Sequence, residues 1–252
     1  MSHTIQVIQE ETKEQGALTA AREIAGLITE NNRLGKPTLL GLATGSSVIG
    51  VYRELIRMHQ VENLSFSDVI TFNLDEYYNL EATHPMSYRY FMQEQLFDHI
   101  DIQPEYTFVP QGTLSQAEIP TFCKNYEDKI QRYGGLDLQL LGIGRNGHIG
   151  FNEPGSARDS RTRLIELDEV TRQDAAPAFK GLEHVPTHAI TMGIGTILDA
   201  RRILMLAWSG AKAPAVAGML QGAVSEKLPA SFLQTHPRVQ LVADKQAAAG
   251  LN

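Results

Sequence analysis

The residues best suited to acid–base chemistry lie in one stretch near the middle of the chain. Residues 138–155 read LQLLGIGRNGHIGFNEPG, an apolar run that breaks into glycines and then into Asn146, His148 and Glu153. A histidine among glycines and polar groups can transfer protons near neutral pH, and Glu153 is near enough in sequence to orient it or share its proton. A structural histidine, satisfied by hydrogen bonds within the loop, is the alternative that the spacing leaves open.

A second candidate base follows another apolar run. Residues 69–74 read VITFNL, and Asp75 and Glu76 come directly after them. A carboxylate at the end of a strand can act as a general base if it faces a crevice. Adjacent side chains of an extended chain point to opposite sides, so at most one of these carboxylates can face a substrate. A solvated or helix-capping acid is the other interpretation.

A candidate phosphate site lies at residues 42–47, which read LATGSS and predict a turn from a strand into a helix. Gly45 would let the backbone approach an anion, toward which the free N–H groups of the helix N-terminus point. Thr44, Ser46 and Ser47 add hydroxyl donors. An ordinary strand–turn–helix connection with a serine cap fits the same residues.

A lysine near a later strand end is a further candidate for the same anion. Lys212 follows the apolar run 202–208, and a parallel sheet would bring it to the same edge as Ser46. A single lysine at a helix start is most often solvated, so this assignment depends on the predicted sheet.

Patterns that would indicate a cofactor or a metal are weak. Residues 142–147 match GxGxxG, but they lie in mid-chain and Pro154 prevents the long helix that a dinucleotide-binding turn opens. His184 and His188 have metal-like spacing, but Pro186 between them disfavours a shared helix face. We therefore predict no cofactor and no required metal.

Composition narrows the functional class. The 252 residues carry a net charge of −7 without a Lys/Arg block, which disfavours nucleic acid as a partner. Neither a signal peptide nor an apolar run of membrane-spanning length is found in the sequence. Cys123 is the only cysteine, which suits a reducing compartment. We expect a cytoplasmic protein that acts on a small molecule.

Strand and helix patterns alternate along the chain, which predicts an α/β fold of Rossmann-like type. We expect one domain over residues 1–252, with a mostly parallel sheet and helices on both faces. Residues 155–185 are polar and charged, so we expect a surface excursion and a candidate lid. The predicted buried strands lie at 38–42, 69–74, 138–143, 202–208 and 239–243.

Several motifs together resemble the glucosamine-6-phosphate deaminase family, also known as glucosamine/galactosamine-6-phosphate isomerases. FNLDEY at 72–77 and GHIGFNEP at 147–154 are long and specific. Residues 42–47, HPxSY at 84–88 and GIGT at 193–196 also look like this family, and the resemblance covers nearly the whole chain by element order. The related 6-phosphogluconolactonases share the sheet and the phosphate loop but are not expected to carry both long motifs.

The resemblance implies a metal-independent reaction of amino-sugar catabolism, in which glucosamine 6-phosphate and water become fructose 6-phosphate and ammonium. It implies that His148 moves protons to open the sugar ring, with Asn146 and Glu153 assisting. Asp75 would then take the proton from C2 and return it at C1, and the resulting imine would hydrolyse. The residues that match the family's phosphate contacts are Gly45, Ser46, Ser47 and Lys212.

The chain departs from the family pattern at several points. Asn146 stands where some members have aspartate, and an amide can orient a neighbour but cannot take its proton. The family's lid supplies an arginine to the phosphate, whereas Arg172 is near that position but out of step. Some longer members are hexamers activated by N-acetylglucosamine 6-phosphate. The chain ends soon after its last predicted strand, so we expect weak or absent allosteric control in a monomer or homo-oligomer.

Two other functions compete with the deaminase. A lactonase would use His148 as the base for water and would need no chemistry at C2. A non-catalytic sugar-phosphate sensor would need the pocket alone, and the set of Asp75, His148 and Glu153 argues against it, since binding does not require proton-transfer groups.

Overall fold

A computed structural model describes residues 4–251 and shows a mostly parallel sheet. Within these residues the strands are β1 (Gln6–Glu10), β2 (Thr38–Leu42), β3 (Val69–Asn73), β4 (Asp75–Tyr77), β5 (Thr107–Phe108), β6 (Leu138–Gly142), β7 (Arg163–Glu166), β8 (His188–Thr191), β9 (Ile203–Ala207) and β10 (Val239–Asp244). Seven of them form the main sheet in the order β1-β10-β9-β6-β2-β3-β5, and every adjacent pair is parallel. The predicted α/β fold is confirmed.

Helices cover the main sheet. They are α1 (Lys13–Arg33), α2 (Ile49–Glu62), α3 (Tyr88–Gln95), α4 (Ile119–Arg132), α5 (Glu169–Phe179), α6 (Ile194–Leu198) and α7 (Ala213–Gln221). α1 begins with a capping box, in which the Thr12 hydroxyl accepts from the N–H of Gln15 and the Gln15 side chain accepts from the N–H of Thr12. Every residue of β2, β3 and β9 is buried, as expected of parallel strands with both faces covered.

The strand order of the main sheet reverses between β2 and β6. From β2 the chain continues outward through β3 and β5, whereas from β6 it continues through β9 and β10 in the opposite direction. Open α/β sheets bind ligands at such a reversal, outside the carboxyl ends of the strands. The loops that follow β2 and β6 contain the predicted phosphate turn and the predicted acid–base residues.

Three strands form a second, antiparallel sheet that the sequence analysis does not predict. Its order is β4-β8-β7. Only Leu74 separates β3 from β4, so Asp75 begins a strand of the second sheet and is not the end of a strand in the first. Strands of three or four residues are too short to give a clear hydrophobic period, which explains the error.

Residues 155–185 were expected as a surface excursion, and that expectation is wrong in one respect. The segment contains β7 and α5, and its Leu167 and Phe179 are buried in a hydrophobic cluster with Tyr77 and Phe151. β1 was also missed, because it is an edge strand with the largely polar sequence QVIQE. Among residues 4–251, no helix is both long and apolar enough to cross a membrane.

Candidate active site

A cavity of about 280 Å³ lies at the strand reversal between β2 and β6. It is lined by the loops that follow these two strands, by the start of β4, by α5 and by the turn before α7. Seven predicted site residues line this cavity, namely Thr44, Gly45, Ser46, Ser47, Asp75, His148 and Lys212. A larger cleft of about 970 Å³ between α4 and β7 is lined by none of them, so its size does not make it the better candidate.

The loop after β2 is held from outside the cavity. The indole N–H of Trp208 donates to the carbonyl of Ser47 at 2.8 Å, and the ammonium group of Lys13 donates to the carbonyl of Ser46 at 3.0 Å. Gly45 has a φ of +96°, in the left-handed region that favours glycine. Two fixed carbonyls and one glycine turn thus set the path of the loop that would bind a phosphate.

Four side chains in and around the loop after β6 form one hydrogen-bonded network. Nδ1 of His148 lies 3.4 Å from Oε2 of Glu153. The amide of Asn146 donates to the same oxygen at 2.9 Å, and its Oδ1 accepts from the N–H of His148 at 3.1 Å. The hydroxyl of Thr171, on α5, donates to Oε1 of Glu153 at 2.5 Å. Asn146 and Glu153 therefore stand behind His148, which faces the cavity.

The network favours an ionised Glu153. Burial raises the pKa of this carboxyl, but the hydrogen bonds from His148, Thr171 and Asn146 and the charge of His148 together lower it below its ordinary value. A carboxylate at this position contacts Nδ1 of His148 and fixes the orientation of the ring. Thr171 was missed by the sequence analysis, because nothing in the polar sequence around it indicates which threonine faces the site.

The side chains of Asp75 and Glu76 point in different directions, as expected for adjacent residues of an extended chain. Glu76 accepts from the hydroxyl of Ser87 at 2.8 Å, from the N–H of Tyr88 at 2.9 Å and from the N–H of Arg89 at 3.0 Å, so it caps α3. Asp75 lines the cavity and is 5% exposed. Burial raises the pKa of Asp75 well above its ordinary value, and the charge of Glu76 adds to this effect. One carboxylate has a structural role, and the other is available as a base.

An aromatic wall beside Asp75 was also missed. Tyr77, Tyr88 and Phe151 line the cavity and pack on one another, with ring centroids 5.0 to 5.8 Å apart. Phe179 of α5 packs edge-on against Tyr77 at 5.2 Å. These rings share the cavity lining with Asp75, where burial is the largest cause of the raised pKa of its carboxyl.

Three other residues that the sequence analysis considered lie outside the cavity lining. Arg172 donates to the carbonyls of Leu182 at 3.1 Å and Val185 at 3.2 Å, so its guanidinium holds the end of α5 to the following turn. His184 lies in a 3-10 turn and His188 in β8. In the described part of the chain, no three His, Cys, Asp or Glu side chains form a group that could hold a metal ion.

Comparisons with known proteins agree with this geometry. Residues 11–242 match the family described as glucosamine-6-phosphate isomerases/6-phosphogluconolactonase. A glucosamine-6-phosphate deaminase from Shewanella halifaxensis (strain HAW-EB4) is 54% identical over 215 residues, which cover 85% of this chain and 81% of that protein. The solved structure of a monomeric glucosamine-6-phosphate deaminase superposes with a TM-score of 0.93 at 45% identity, covering 97% of this chain and 99% of the other.

A more distant solved structure has the same fold. A 6-phosphogluconolactonase from Trypanosoma cruzi superposes with a TM-score of 0.80 at 19% identity, covering 100% of this chain and 98% of the other. At this level of identity the likeness concerns the fold alone.

Proposed function

The chain belongs to the family of glucosamine-6-phosphate isomerases and 6-phosphogluconolactonases, and from this we propose that the cavity between β2 and β6 is its deaminase active site. The enzyme converts glucosamine 6-phosphate and water to fructose 6-phosphate and ammonium, a reaction of amino-sugar catabolism. The observation that supports this site is that Asp75 and His148 line the same cavity as the loop 44–47 and Lys212. In this proposal a base, a proton carrier and an anion-binding end face one bound substrate.

In this proposal the substrate is positioned by its phosphate. The N–H groups and hydroxyls of residues 44–47 bind the phosphate oxygens, and Lys212 supplies a positive charge. Anchoring one end of the sugar fixes the position of C1 and C2 with respect to the two reactive side chains, which converts proton transfers into steps within a single complex.

His148 opens the ring and Asp75 carries out the isomerisation. The imidazole takes the proton of the C1 hydroxyl and delivers one to the ring oxygen, while Glu153 and Asn146 hold it in place. Asp75 then takes the proton from C2, and O1 gains the proton that the substrate's ammonium group at C2 gives up, so a neutral enolamine forms. Asp75 returns its proton to C1, which leaves an iminium at C2. Water adds there and ammonium leaves.

The remaining proposals concern the setting of the enzyme. We propose a cytoplasmic location, because a single cysteine suits a reducing compartment, and no nucleic-acid partner, because the net charge is −7. The protein acts as a monomer or a homo-oligomer, and light scattering during size-exclusion chromatography distinguishes the two.

The test is an assay of both products with the purified protein and no added metal. Glucosamine 6-phosphate should yield ammonium and fructose 6-phosphate in equal amounts, and 6-phosphogluconolactone should not be hydrolysed. Lactone hydrolysis without ammonium release would assign the site to a lactonase. Saturable binding of glucosamine 6-phosphate without turnover would instead indicate a sensor.

A further inference from the structure

An acidic side chain lines the cavity beside the residues that would bind the phosphate. Asp174, on α5, lines it together with Lys212 and Ser46. Burial lowers the pKa of Lys212, while the charge of Asp174 raises it and the charge of Arg145 lowers it, so the three groups lie within electrostatic reach of one another. A phosphate dianion on Lys212 would be repelled by a free Asp174 carboxylate.

The carboxylate of Asp174 is paired with Arg145. Nε of Arg145 donates to Oδ2 of Asp174 at 3.0 Å, and Nη2 donates to Oδ1. Arg145 directly follows Gly144, which lines the cavity. The two side chains are 50% and 44% exposed, and exposed pairs of this kind contribute little to stability. The guanidinium thus has two parallel donors beside the cavity. Releasing them from Asp174 should cost little free energy.

We propose that Arg145 is a second cation of the phosphate site and that the substrate phosphate replaces Asp174 as its partner. This inference rests on the proposed phosphate site at residues 44–47 and Lys212. A guanidinium fork binds phosphate in the same two-donor geometry with which it binds a carboxylate. Lys212 and Arg145 together match the charge of a phosphate dianion, and Asp174 holds the arginine in position while the site is empty.

The proposed exchange of partners at Arg145 would also affect the helix that contacts the acid–base network. Thr171 and Asp174 are three residues apart on α5, so they lie on the same face of the helix. That face contacts the loop after β6 at two positions, through Thr171 to Glu153 and His148 and through Asp174 to Arg145. A phosphate that takes Arg145 from Asp174 releases the second contact and leaves the first.

The test uses the variants Arg145→Gln, Asp174→Asn and Lys212→Gln, the double variant of the first two, and Arg33→Gln as a control. Arg33 pairs with Glu30 at the end of α1, is 67% exposed on its side chain, and matches the charge change. KM and kcat are measured with glucosamine 6-phosphate at constant ionic strength, together with the competitive Ki of inorganic phosphate.

Arg145→Gln should raise KM and Ki about tenfold and change kcat by less than about twofold, the result of losing one charge-assisted contact to the bound phosphate. Asp174→Asn should lower KM and Ki about threefold, because Arg145 no longer has a competing partner. That gain should be smaller in the Arg145→Gln background, since the two changes act on one interaction. Arg33→Gln should leave all three constants unchanged.

Three outcomes would overturn the proposal. If Arg145→Gln and Asp174→Asn both raise KM, the pair only holds α5 in place. If Arg145→Gln has no effect while Lys212→Gln raises KM and Ki, the phosphate site stands without Arg145. Unchanged constants in Lys212→Gln would refute the proposed phosphate site itself, and the inference with it, so the two failures are distinguishable.

Discussion

At the scale of single residues, the adjacent carboxylates of Asp75 and Glu76 lie in different environments. Glu76 accepts three hydrogen bonds at the start of α3, whereas Asp75 faces the cavity beside aromatic rings. Burial raises the pKa of both carboxyls; the hydrogen bonds to Glu76 oppose this rise, whereas the charge of Glu76 adds to the rise at Asp75. The proposed role of Asp75 as the base for C2 comes from the family resemblance, and the position of its side chain and the raised pKa of its carboxyl support it.

Asp75→Asn tests this assignment. The amide keeps the shape of the side chain but cannot take a proton, so kcat should fall by about 10² to 10⁴, with KM within about threefold of the parent enzyme. Exchange of the C2 proton with solvent deuterium, followed by NMR, should be lost while substrate binding is retained. Undiminished exchange would remove Asp75 from the role of base.

The position of His148 depends on a neighbouring glycine. A Cβ added at Gly144 would lie 2.3 Å from Cε1 of the His148 ring, so Gly144→Ala must displace the ring. A displacement of about 1 Å can cost about 10² in rate, and we expect a loss of that size in kcat. Gly26→Ala, at an exposed position of α1 where a Cβ meets nothing within 4 Å, is the control. Full activity of Gly144→Ala would show that the ring position is not critical.

At the scale of elements, the end of β9 and the start of α1 hold the phosphate loop in place. Trp208 directly follows β9, yet its indole N–H holds the carbonyl of Ser47 at the end of the loop after β2. Trp208→Phe keeps an aromatic ring but removes this donor, which leaves the carbonyl without that partner. One lost hydrogen bond corresponds to about 1 kcal/mol, so KM for glucosamine 6-phosphate should rise about fivefold while kcat changes little.

KM and kcat of Trp208→Phe are compared with those of Lys13→Met. Lys13, on α1, donates to the adjacent carbonyl of Ser46, so its loss should affect the same loop. Both should act on KM if the loop binds the phosphate. A fall in kcat at constant KM would place the effect on the reacting groups instead and would contradict a role of the loop in binding.

The sequence predicts those elements whose apolar pattern extends over several residues. The buried strands β2, β3, β6, β9 and β10 follow from apolar runs, and their parallel arrangement brings Ser46, Asp75, His148 and Lys212 to one edge. The antiparallel sheet could not be predicted, since its strands are three or four residues long. α5 was missed because its sequence is polar and contains Pro177, which argues against a helix.

Residues whose role depends on tertiary packing were missed for a different reason. Thr171, Asp174 and Tyr88 belong to no motif that the sequence analysis assigns to the cavity, and they reach it only because α5 and α3 pack beside the loops of the main sheet. Local pattern cannot show such contacts. The roles that we assign to Asn146, His148 and Glu153 remain predictions that the kinetic tests decide.

At the scale of the whole molecule, the fold does not determine the chemistry. A 6-phosphogluconolactonase has the same fold at 19% identity, with a TM-score of 0.80. A fold hosts different reactions through the side chains at its site. In the proposed reaction Asp75 removes the C2 proton, a step that lactone hydrolysis lacks, so its carboxylate is the group that would distinguish the two reactions on this fold.

A buried base should reduce the stability of the molecule that carries it. Burial and the charge of Glu76 raise the pKa of Asp75 above its value of 3.8 in the unfolded chain. Below the unfolded pKa the carboxyl is protonated in both states, and its titration costs nothing. As the pH rises, the unfolded state ionises first and is favoured, and the loss of folding stability is complete above the folded pKa.

Asp75→Asn cannot ionise, so it should be more stable than the parent protein at pH 7, and the difference should disappear as the pH falls toward 4. For a chain of this size about 1 kcal/mol corresponds to about 2–4 °C in Tm, and we expect a rise of about 3 °C. Thermal melting between pH 4 and 8 measures it, with Asp68→Asn at an exposed position as the control. A lower Tm for Asp75→Asn at pH 7 would mean that the folded state stabilises the ionised carboxylate. A higher Tm in an inactive variant would mean that the enzyme keeps a destabilising charge because the removal of the C2 proton requires it.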